Sequence, residues 1–220
     1  MRKIIASTFV TLDGVMQAPG GPEEDPTGGF TQGGWSAPYW DDIMNKVMGE
    51  RMSVPTDLLL GRKTYEIFAA HWPYAGENPI TALFNKAAKY VASRTLNKLD
   101  WINSKLIEGD VAAEVARLKT MDGPDLQVHG SSVLLQTLIG AGLIDEHHLW
   151  IFPLVLGHGK KLFENGVPPQ GLALTGTKTS STGVLLNTYR PAGAVKFGSF
   201  ALETPTEAEL ARRKKMAREG

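Results

Sequence analysis

The stretch LQVHGSSVLLQ (126–136) places HGSS (129–132) between a short apolar run and an apolar periodic segment. The run predicts a strand over 125–129, and the periodic segment predicts a helix over 131–141. Two interpretations of the junction stay open. Small residues let a chain turn, and the unpaired N–H groups of a helix N-terminus bind anions, which glycine allows to approach the backbone.

A second junction, LLLGRKT (58–64), repeats this order of apolar strand, glycine and helix. Two such junctions on one sheet edge could hold two phosphate groups of one dinucleotide, and the Arg62 guanidinium is suited to a bidentate phosphate contact. A third turn, VASRT (91–95), adds hydroxyl and guanidinium donors. Neither glycine junction is a GxGxxG or Walker A motif, so each taken singly is also explained by turn chemistry.

The remaining pattern alternates strands with helices. The predicted strands are 3–10, 57–60, 88–92, 101–106, 147–156, 172–179 and 184–190, and the predicted helices are 38–52, a helix opening at Arg62, 80–87 and 109–120. This order predicts an α/β fold, a three-layer α/β/α domain with a mixed, mostly parallel sheet and an antiparallel C-terminal edge. Ligands of such sheets bind beyond the carboxyl ends of the strands. The Gly/Pro-rich segment 13–38 predicts a long loop that is either functional or disordered.

Composition restricts the class of partner. The chain has 220 residues, 42% hydrophobic and 21% charged, which is ordinary for one globular domain. Its 23 basic and 23 acidic residues balance, so we expect neither a nucleic-acid nor a membrane partner. Without cysteine there is no disulfide or thiolate metal site, and His147 and His148 point to opposite faces of a strand, so we expect no metal. No apolar run reaches the roughly 20 residues of a membrane span, and we expect a cytoplasmic protein.

The C-terminal residues 193–220 are predicted to extend a domain that spans 1–192. The segment 204–207 is a helix start, with Thr204 as the cap and Pro205 at the first helical position. The sequence that follows is polar almost all round, which predicts a solvated helix or a frayed tail. A basic helix that binds a partner is the alternative.

Taken in order, these pieces resemble the dihydrofolate reductase-like superfamily, in particular the C-terminal reductase domain of the bifunctional riboflavin-biosynthesis deaminase-reductase. The matching segments are IIASTFVTLDGV (4–15), LLLGRKTYE (58–66), YVASRT (90–95), LQVHGSSVLLQTLIGAGLIDE (126–146) and FPLVLGHGKKLF (152–163). The resemblance implies an eight-stranded sheet and hydride transfer from NADPH to a small-molecule substrate, similar to 5-amino-6-(5-phosphoribosylamino)uracil reductase. Because the chain lacks the cysteines of a zinc deaminase motif, it would be a stand-alone reductase.

The resemblance also assigns NADPH-binding residues. It implies that the first junction binds one side of the cofactor phosphates, that the third turn and Arg62 bind the adenosine 2′-phosphate, and that the second junction binds the pyrophosphate. The residues concerned are Gly61, Arg62, Lys63, Thr64, Ser93, Arg94, His129, Gly130, Ser131, Ser132 and Val133. His129 stands where the family often has a second glycine.

Hydride transfer also needs a proton source and a pocket for the acceptor. Asp13 follows the first strand, where the family's loop covers the nicotinamide, and Asp41 and Asp42 lie near the carboxylate of folate reductases. A D-G turn and favourable charge at a helix N-terminus explain the same residues without catalysis. Trp40 and Trp72 are candidates to stack on a flat substrate, with ordinary core packing as the alternative.

Two functional classes therefore compete. The first is an NADPH-dependent reductase of a small heterocyclic substrate, expected to be a homodimer with the strand 147–156 in the contact. The second is a non-catalytic nucleotide-binding or assembly module of the same fold. A proton donor beside the nicotinamide distinguishes them. If neither Asp13 nor the pair Asp41 and Asp42 reaches the pocket, the catalytic hypothesis weakens.

Overall fold

The computed structural model of the protein describes residues 1–164 and 167–219, and within them it contains eight strands and six α-helices. The strands are β1 (Ile4–Thr11), β2 (Thr56–Gly61), β3 (Lys89–Ala92), β4 (Ser104–Ile107), β5 (Asp125–Val128), β6 (Glu146–Phe152), β7 (Leu172–Thr179) and β8 (Leu185–Pro191). The helices are α1 (Asp42–Met52), α2 (Arg62–His71), α3 (Pro79–Lys86), α4 (Val111–Thr120), α5 (Ser132–Gly140) and α6 (Glu207–Glu219). None of these described helices is long and apolar enough to cross a bilayer.

All eight strands join one sheet in the order β4-β3-β2-β5-β1-β6-β8-β7. The strands from β4 to β6 in this order pair in parallel, whereas β8 is antiparallel to both β6 and β7. The predicted α/β sheet with an antiparallel C-terminal edge is confirmed. Because β2, β5 and β1 are parallel neighbours, their carboxyl ends meet at one edge, where ligands of such sheets bind.

Helices cover both faces of the sheet. Strand alternation sends Leu59 of β2 to one face and Leu58 and Leu60 to the other. The Leu59 face packs on α4 and α5 through residues such as Val115 and Leu135. The opposite face packs on α1, α2 and α3. The three predicted layers are therefore present.

The helix predicted over 38–52 begins later, at Asp42. The Asp41 carboxylate accepts a hydrogen bond from the Met44 N–H at 2.8 Å and caps the helix. The residues before this cap form a separate 3-10 turn. The predicted start was wrong because an aromatic pair next to the helical pattern was counted with it.

The strand predicted over 147–156 is β6, which ends at Phe152 because Pro153 has no N–H to donate to a ladder. β6 lies between β1 and β8, so both of its edges are already paired. It therefore offers no free edge for the expected dimer contact, and the homodimer itself stays a prediction.

The strand predicted over 101–106 is displaced along the chain to β4. Asn103 has a φ of 61°, in the left-handed region, and so turns the chain before the strand begins. Trp101 belongs to the core instead, since its backbone N–H donates to the Tyr65 hydroxyl at 3.1 Å and the centroid of its ring lies 4.2 Å from the Lys89 ammonium.

The C-terminal helix α6 has no buried side chain, which agrees with a solvated helix. The Thr206 hydroxyl accepts a hydrogen bond from the Glu209 N–H at 3.2 Å, so Thr206 caps the helix and Pro205 precedes it. The predicted cap at Thr204 was therefore wrong by two residues. Gly220 lies outside the described residues, and the domain division after residue 192 stays a prediction.

The two glycine junctions touch each other at the carboxyl ends of β2 and β5. The Gly61 N–H donates to the Gly130 carbonyl at 3.0 Å. A Cβ atom on Gly61 would lie 2.3 Å from the Ser131 Oγ atom, and one on Gly130 would lie 2.6 Å from the Thr64 Oγ1 atom. Both distances are far below van der Waals contact. Packing of one junction on the other thus requires glycine at position 61, where the Cβ would also meet the Ser131 backbone nitrogen at 2.8 Å, whereas at Gly130 only the Thr64 hydroxyl would have to move.

The segment between β1 and α1 folds over this edge of the sheet, and we call its residues 16–35 the cover loop. Phe30 and Trp35 are buried, and the Trp35 ring packs edge-on against Phe152 with centroids 5.1 Å apart. The Trp35 indole N–H donates to the Gln17 carbonyl at 2.8 Å. The long loop predicted from the Gly/Pro-rich sequence is therefore held in place by core contacts.

Asp25 adds an electrostatic anchor to the cover loop. Its carboxylate pairs with the Lys160 ammonium, lies 3.3 Å from the Lys63 ammonium and accepts a bond from the Thr27 hydroxyl at 2.5 Å. Burial opposes ionisation of Asp25, but the hydrogen bonds from Lys160 and Thr27 and the charge of Lys160 lower its pKa to about 2. The loop is thereby tied to α2 and to the segment after β6.

Replacing Gly61 with Ala tests the packing of the junctions. The backbone of Gly61 has a φ of −73°, which alanine adopts freely, so any loss comes from the new Cβ against Ser131. We expect Gly61→Ala to lower the free energy of unfolding by about 1–3 kcal/mol, measured by urea denaturation.

Gly49→Ala is the matched control. Gly49 lies inside α1, and a Cβ there would meet nothing within 4 Å. Alanine should therefore stabilise the protein by up to about 1 kcal/mol through its helix propensity. Equal effects of the two variants would contradict the packing role of Gly61.

Replacing Asp25 with Asn tests the anchor of the cover loop. The folded pKa of Asp25 is lowered from 3.8 to about 2, so its contribution to stability is complete above pH 4 and is lost as the pH falls through 2. We expect Asp25→Asn to lower the melting temperature at pH 5 and the difference from the wild type to shrink by pH 2. Asp100→Asn, at an exposed ion pair with Lys98, should leave the melting temperature nearly unchanged. A difference for Asp25→Asn that is independent of pH would refute the electrostatic anchor.

Candidate functional site

A cavity of about 440 Å³ lies at this edge of the sheet, between the cover loop and the helices α1, α2 and α3. Its floor comes from β1, from β6 and from His129, which directly follows β5, and its volume suits a small molecule. The cover loop contributes residues 16–20, Glu24 and Asp25 to the lining. The loop therefore shapes the cavity directly.

The cavity brings together the two glycine junctions. Six of the eleven predicted cofactor-binding residues line it: Lys63, Thr64, His129, Gly130, Ser131 and Ser132. The other five lie outside the lining: Gly61, Arg62, Ser93, Arg94 and Val133. Gly61 packs closely against Ser131 outside the cavity and so holds the two junctions together.

The helices that begin at these junctions differ from their neighbours at the N-terminus. Side chains of Asp41, Asn78 and Asp110 accept backbone N–H groups and cap α1, α3 and α4. Gly61 and Ser131, which precede α2 and α5, make no such side-chain cap. Within the described part of the chain, the first-turn N–H groups of α2 and α5 therefore have no side-chain acceptor and are available to an anion.

The third predicted group stands beside the first junction. β2 and β3 are parallel neighbours whose last residues, Gly61 and Ala92, are in register, so Arg62 and Ser93 follow adjacent strand ends. The Arg62 guanidinium is exposed and pairs with the Glu66 carboxylate at 3.0 Å. An exposed pair of this kind contributes little to stability and leaves Arg62 free to exchange partners.

Asp13 does not line the cavity. Its carboxylate accepts bonds from the Gly157 N–H at 2.8 Å, the Leu156 N–H at 3.2 Å and the Thr11 hydroxyl at 2.5 Å. These contacts tie the turn after β1 to the segment after β6. Asp13 thus has a complete structural role at this position.

Asp41 and Asp42 are also outside the cavity lining. Besides capping α1, Asp41 accepts a hydrogen bond from the Ser181 N–H at 2.6 Å and joins the helix to the β7–β8 turn. Asp42 lies in the first turn of α1. The structure therefore brings none of the three predicted catalytic carboxylates into the cavity.

Trp40 and Trp72 both line the cavity, on different walls. Trp40 stacks on Trp150 with ring centroids 5.6 Å apart. Trp72 packs edge-on against Phe84 at 4.9 Å, and Phe84 stacks on Phe68 at 5.9 Å. The cavity therefore has two aromatic walls, a shape that suits a flat ring.

Two histidines belong to the cavity lining, and the sequence indicated only one of them. Burial lowers the pKa of His129 to about 4, although a hydrogen bond with the Ser7 carbonyl opposes this. Burial and the charge of Arg51 lower the pKa of His148, while its bond to Glu146, 3.1 Å from Nε2, opposes them. Both rings are therefore neutral at neutral pH. The sequence indicated His148 only in connection with a metal site. The alternation of side chains along β6, which places His148 and His147 on opposite faces, was the signal that one of them faces the cavity.

Arg51, in the last turn of α1, is the second residue that the sequence did not indicate. It lines the cavity, and its guanidinium carbon lies 5.7 Å from the centroid of the Trp150 ring. Burial lowers its pKa to about 10, against the opposing charge of Glu146, so it remains a cation at neutral pH. A basic residue in the last turn of a helix is usually solvent-exposed and interacts favourably with the helix dipole. Arg51 therefore gave no sequence signal of a role in the cavity.

Comparison with solved structures shows the same fold elsewhere. A putative riboflavin biosynthesis protein from Shewanella sp. PV-4 superposes with a TM-score of 0.59 at 19% identity, over 87% of this chain and 99% of that chain. Dihydrofolate reductase from Enterococcus faecalis, complexed with NADP(H), superposes with a TM-score of 0.55 at 14% identity, over 86% of this chain and 96% of that chain. The predicted dihydrofolate reductase-like fold is confirmed.

Sequence comparison shows the family. The uncharacterized protein YyaP of Bacillus subtilis (strain 168) is 33% identical over 201 residues, which cover 86% of this chain and 94% of that protein. The family model described as the RibD C-terminal domain matches residues 2–186, which include both glycine junctions and every strand that lines the cavity. The chain therefore belongs to the RibD C-terminal domain family.

Proposed function

We propose that the protein is an NADPH-dependent reductase that transfers a hydride to a small, flat heterocyclic substrate. The observation that carries this proposal is one cavity that joins two uncapped helix N-termini to two aromatic walls. The helix N-termini suit the phosphates of a dinucleotide, and the aromatic walls suit the ring that accepts the hydride. The relative from Enterococcus faecalis with the same fold was solved with NADP(H), which supports the choice of cofactor.

The residues at the junctions fit a pyrophosphate. Ser131 and Ser132 line the cavity at the start of α5, where backbone N–H groups and hydroxyls are available as donors. Thr64 and Lys63 contribute a hydroxyl and an ammonium from α2. Lys63 already pairs with Asp25 of the cover loop, so a phosphate at this junction would share that cation.

Arg62 is our candidate for the adenosine 2′-phosphate, together with Ser93 and Arg94. All three follow the carboxyl ends of the adjacent strands β2 and β3, outside the cavity lining. An exposed position suits the adenosine end of a dinucleotide, whose nicotinamide end must be enclosed. A guanidinium also matches the geometry of a phosphate, and its exposed pair with Glu66 is easily exchanged.

NADPH supplies a hydride when bound, and the acceptor then needs a proton at a neighbouring atom. The floor of the cavity offers neutral histidines and Arg51 in place of a carboxylate. Glu146 accepts from His148 Nε2, and the Nδ1 atom of His148 has no hydrogen-bond partner within the described part of the chain. His148 is therefore suited to orient a substrate donor, and the proton would come from solvent through the cavity mouth.

A non-catalytic nucleotide-binding module is the second candidate. It is favoured by the positions of Asp13, Asp41 and Asp42, which all serve structural contacts outside the cavity. A module that binds only a nucleotide has no use for the aromatic walls around Trp40 and Trp72. The presence of this second compartment supports the reductase over the module.

A titration with NADPH and, separately, NADH tests the proposed cofactor site. Each cofactor should raise the melting temperature, and NADPH should do so at the lower concentration because only it carries the 2′-phosphate. Arg62→Ala should weaken NADPH roughly tenfold or more, through loss of a charge-assisted pair, and should weaken NADH much less.

Arg117→Ala is the matched control for Arg62→Ala. Arg117 also forms an exposed ion pair within a helix, with Glu114, but it follows neither junction. We expect it to leave both affinities unchanged. Equal weakening of NADPH and NADH by Arg62→Ala would remove Arg62 from the 2′-phosphate site. No response of the wild type to either cofactor would refute the reductase proposal.

A further inference from the structure

The charged side chains of the cavity lining are almost all paired within the protein. Lys63 and Lys160 both contact the Asp25 carboxylate. Glu24 accepts the N–H groups of Gly20 and Gly21, at 2.6 and 3.1 Å. These groups lie at the cover loop and hold it in place, so they offer little charge to a substrate.

Arg51 differs from all of these groups. Within residues 1–164 and 167–219 its guanidinium makes no hydrogen bond and no ion pair, and its one specific contact is the face of Trp150. A cation–π contact of this kind uses the charge of a guanidinium and none of its N–H donors. A partly buried guanidinium without an acceptor is costly unless a ligand supplies one.

The histidines beside Arg51 on the floor of the cavity add no second positive charge, and the charge of Glu146 is compensated by ion pairs. His129 and His148 are neutral at neutral pH, and Glu146, bonded to His148, is also paired with Lys3 at 3.1 Å and Arg190 at 2.8 Å. The floor therefore presents a single positive charge between aromatic walls. This matches a single negative charge on a flat ring, whereas a phosphate dianion normally requires several donors.

We propose that Arg51 is the anchor for the acceptor substrate, and that this substrate is a planar ring acid whose carboxylate pairs with the Arg51 guanidinium. The inference rests on the proposed function, since it assigns the acceptor part of the same cavity. The ring lies between the wall of Trp40 and Trp150 and the wall of Phe68 and Trp72. The carboxylate fixes which edge of the ring reaches the floor.

Binding of matched probes tests this proposal without knowledge of the physiological substrate. 2-Naphthoate, 2-naphthamide and 2-naphthyl phosphate share one ring system and differ in charge. Trp40, Trp72 and Trp150 line the cavity, so quenching of tryptophan fluorescence reports occupancy. We expect the wild type to bind 2-naphthoate at least about tenfold more tightly than the neutral amide.

Two substitutions locate the charge. Arg51→Gln should remove the preference for 2-naphthoate over 2-naphthamide, and Arg51→Lys should retain part of it because the charge remains while the planar fork is lost. Arg117→Gln, on an exposed surface of α4, should change nothing. Melting temperatures of all variants show whether each is folded, and Arg51→Lys serves as the test should Arg51→Gln fail to fold.

Any of four results would overturn the proposal. The wild type could bind 2-naphthoate and 2-naphthamide equally, or bind none of the probes. The preference for 2-naphthoate could survive Arg51→Gln, or 2-naphthyl phosphate could bind about tenfold more tightly than 2-naphthoate. An NADPH titration of the same protein separates this inference from the reductase proposal. A carboxylate preference without an NADPH response would retain Arg51 as an anchor and refute the reductase.

Discussion

The close contact between the two glycine junctions is the constraint on which the site depends. Gly61 and Gly130 are joined by a backbone hydrogen bond of 3.0 Å, and each fills a space in which a Cβ atom would overlap the opposite junction. This contact brings the N-termini of α2 and α5 to one edge of the sheet. The first-turn N–H groups of both helices, which have no side-chain cap among the described residues, then lie beside one cavity. Neither helix alone would provide two anion-binding positions.

The second constraint is the placement of charge around that cavity. At the cover loop, the carboxylates of Glu24 and Asp25 balance the ammonium groups of Lys63 and Lys160 in formal charge. The ion pairs of Asp25 also hold the loop over the sheet edge. Aromatic rings make the walls, and they lower the solvation of any group at the floor. Burial keeps His129 neutral, and Arg51 remains a cation that makes no ion pair or hydrogen bond with the residues the structure describes. The floor of the cavity, as distinct from the glycine junctions at its edge, therefore suits a substrate group with one negative charge.

Periodicity predicted the sheet, its antiparallel edge and most helices, because strand and helix repeats are local properties of the chain. The two junctions were equally visible, since a glycine that ends an apolar strand marks a turn into a helix. The end of β6 was also predictable, because Pro153 is a local signal that breaks a strand. Two features were not predictable from local patterns: the carboxylates of Asp13 and Asp41 are used in long-range contacts, and Arg51 faces the cavity. Both depend on segments far apart in sequence, which the local pattern does not specify.

The central claim is that both junctions bind one dinucleotide in this cavity, and a crystal structure of the protein with NADPH tests it most directly. We predict the pyrophosphate at the N-termini of α2 and α5, the 2′-phosphate beside Arg62, and the nicotinamide inside the cavity beside the aromatic walls. NADPH bound elsewhere, or bound with only one junction in contact with its phosphates, would contradict the account.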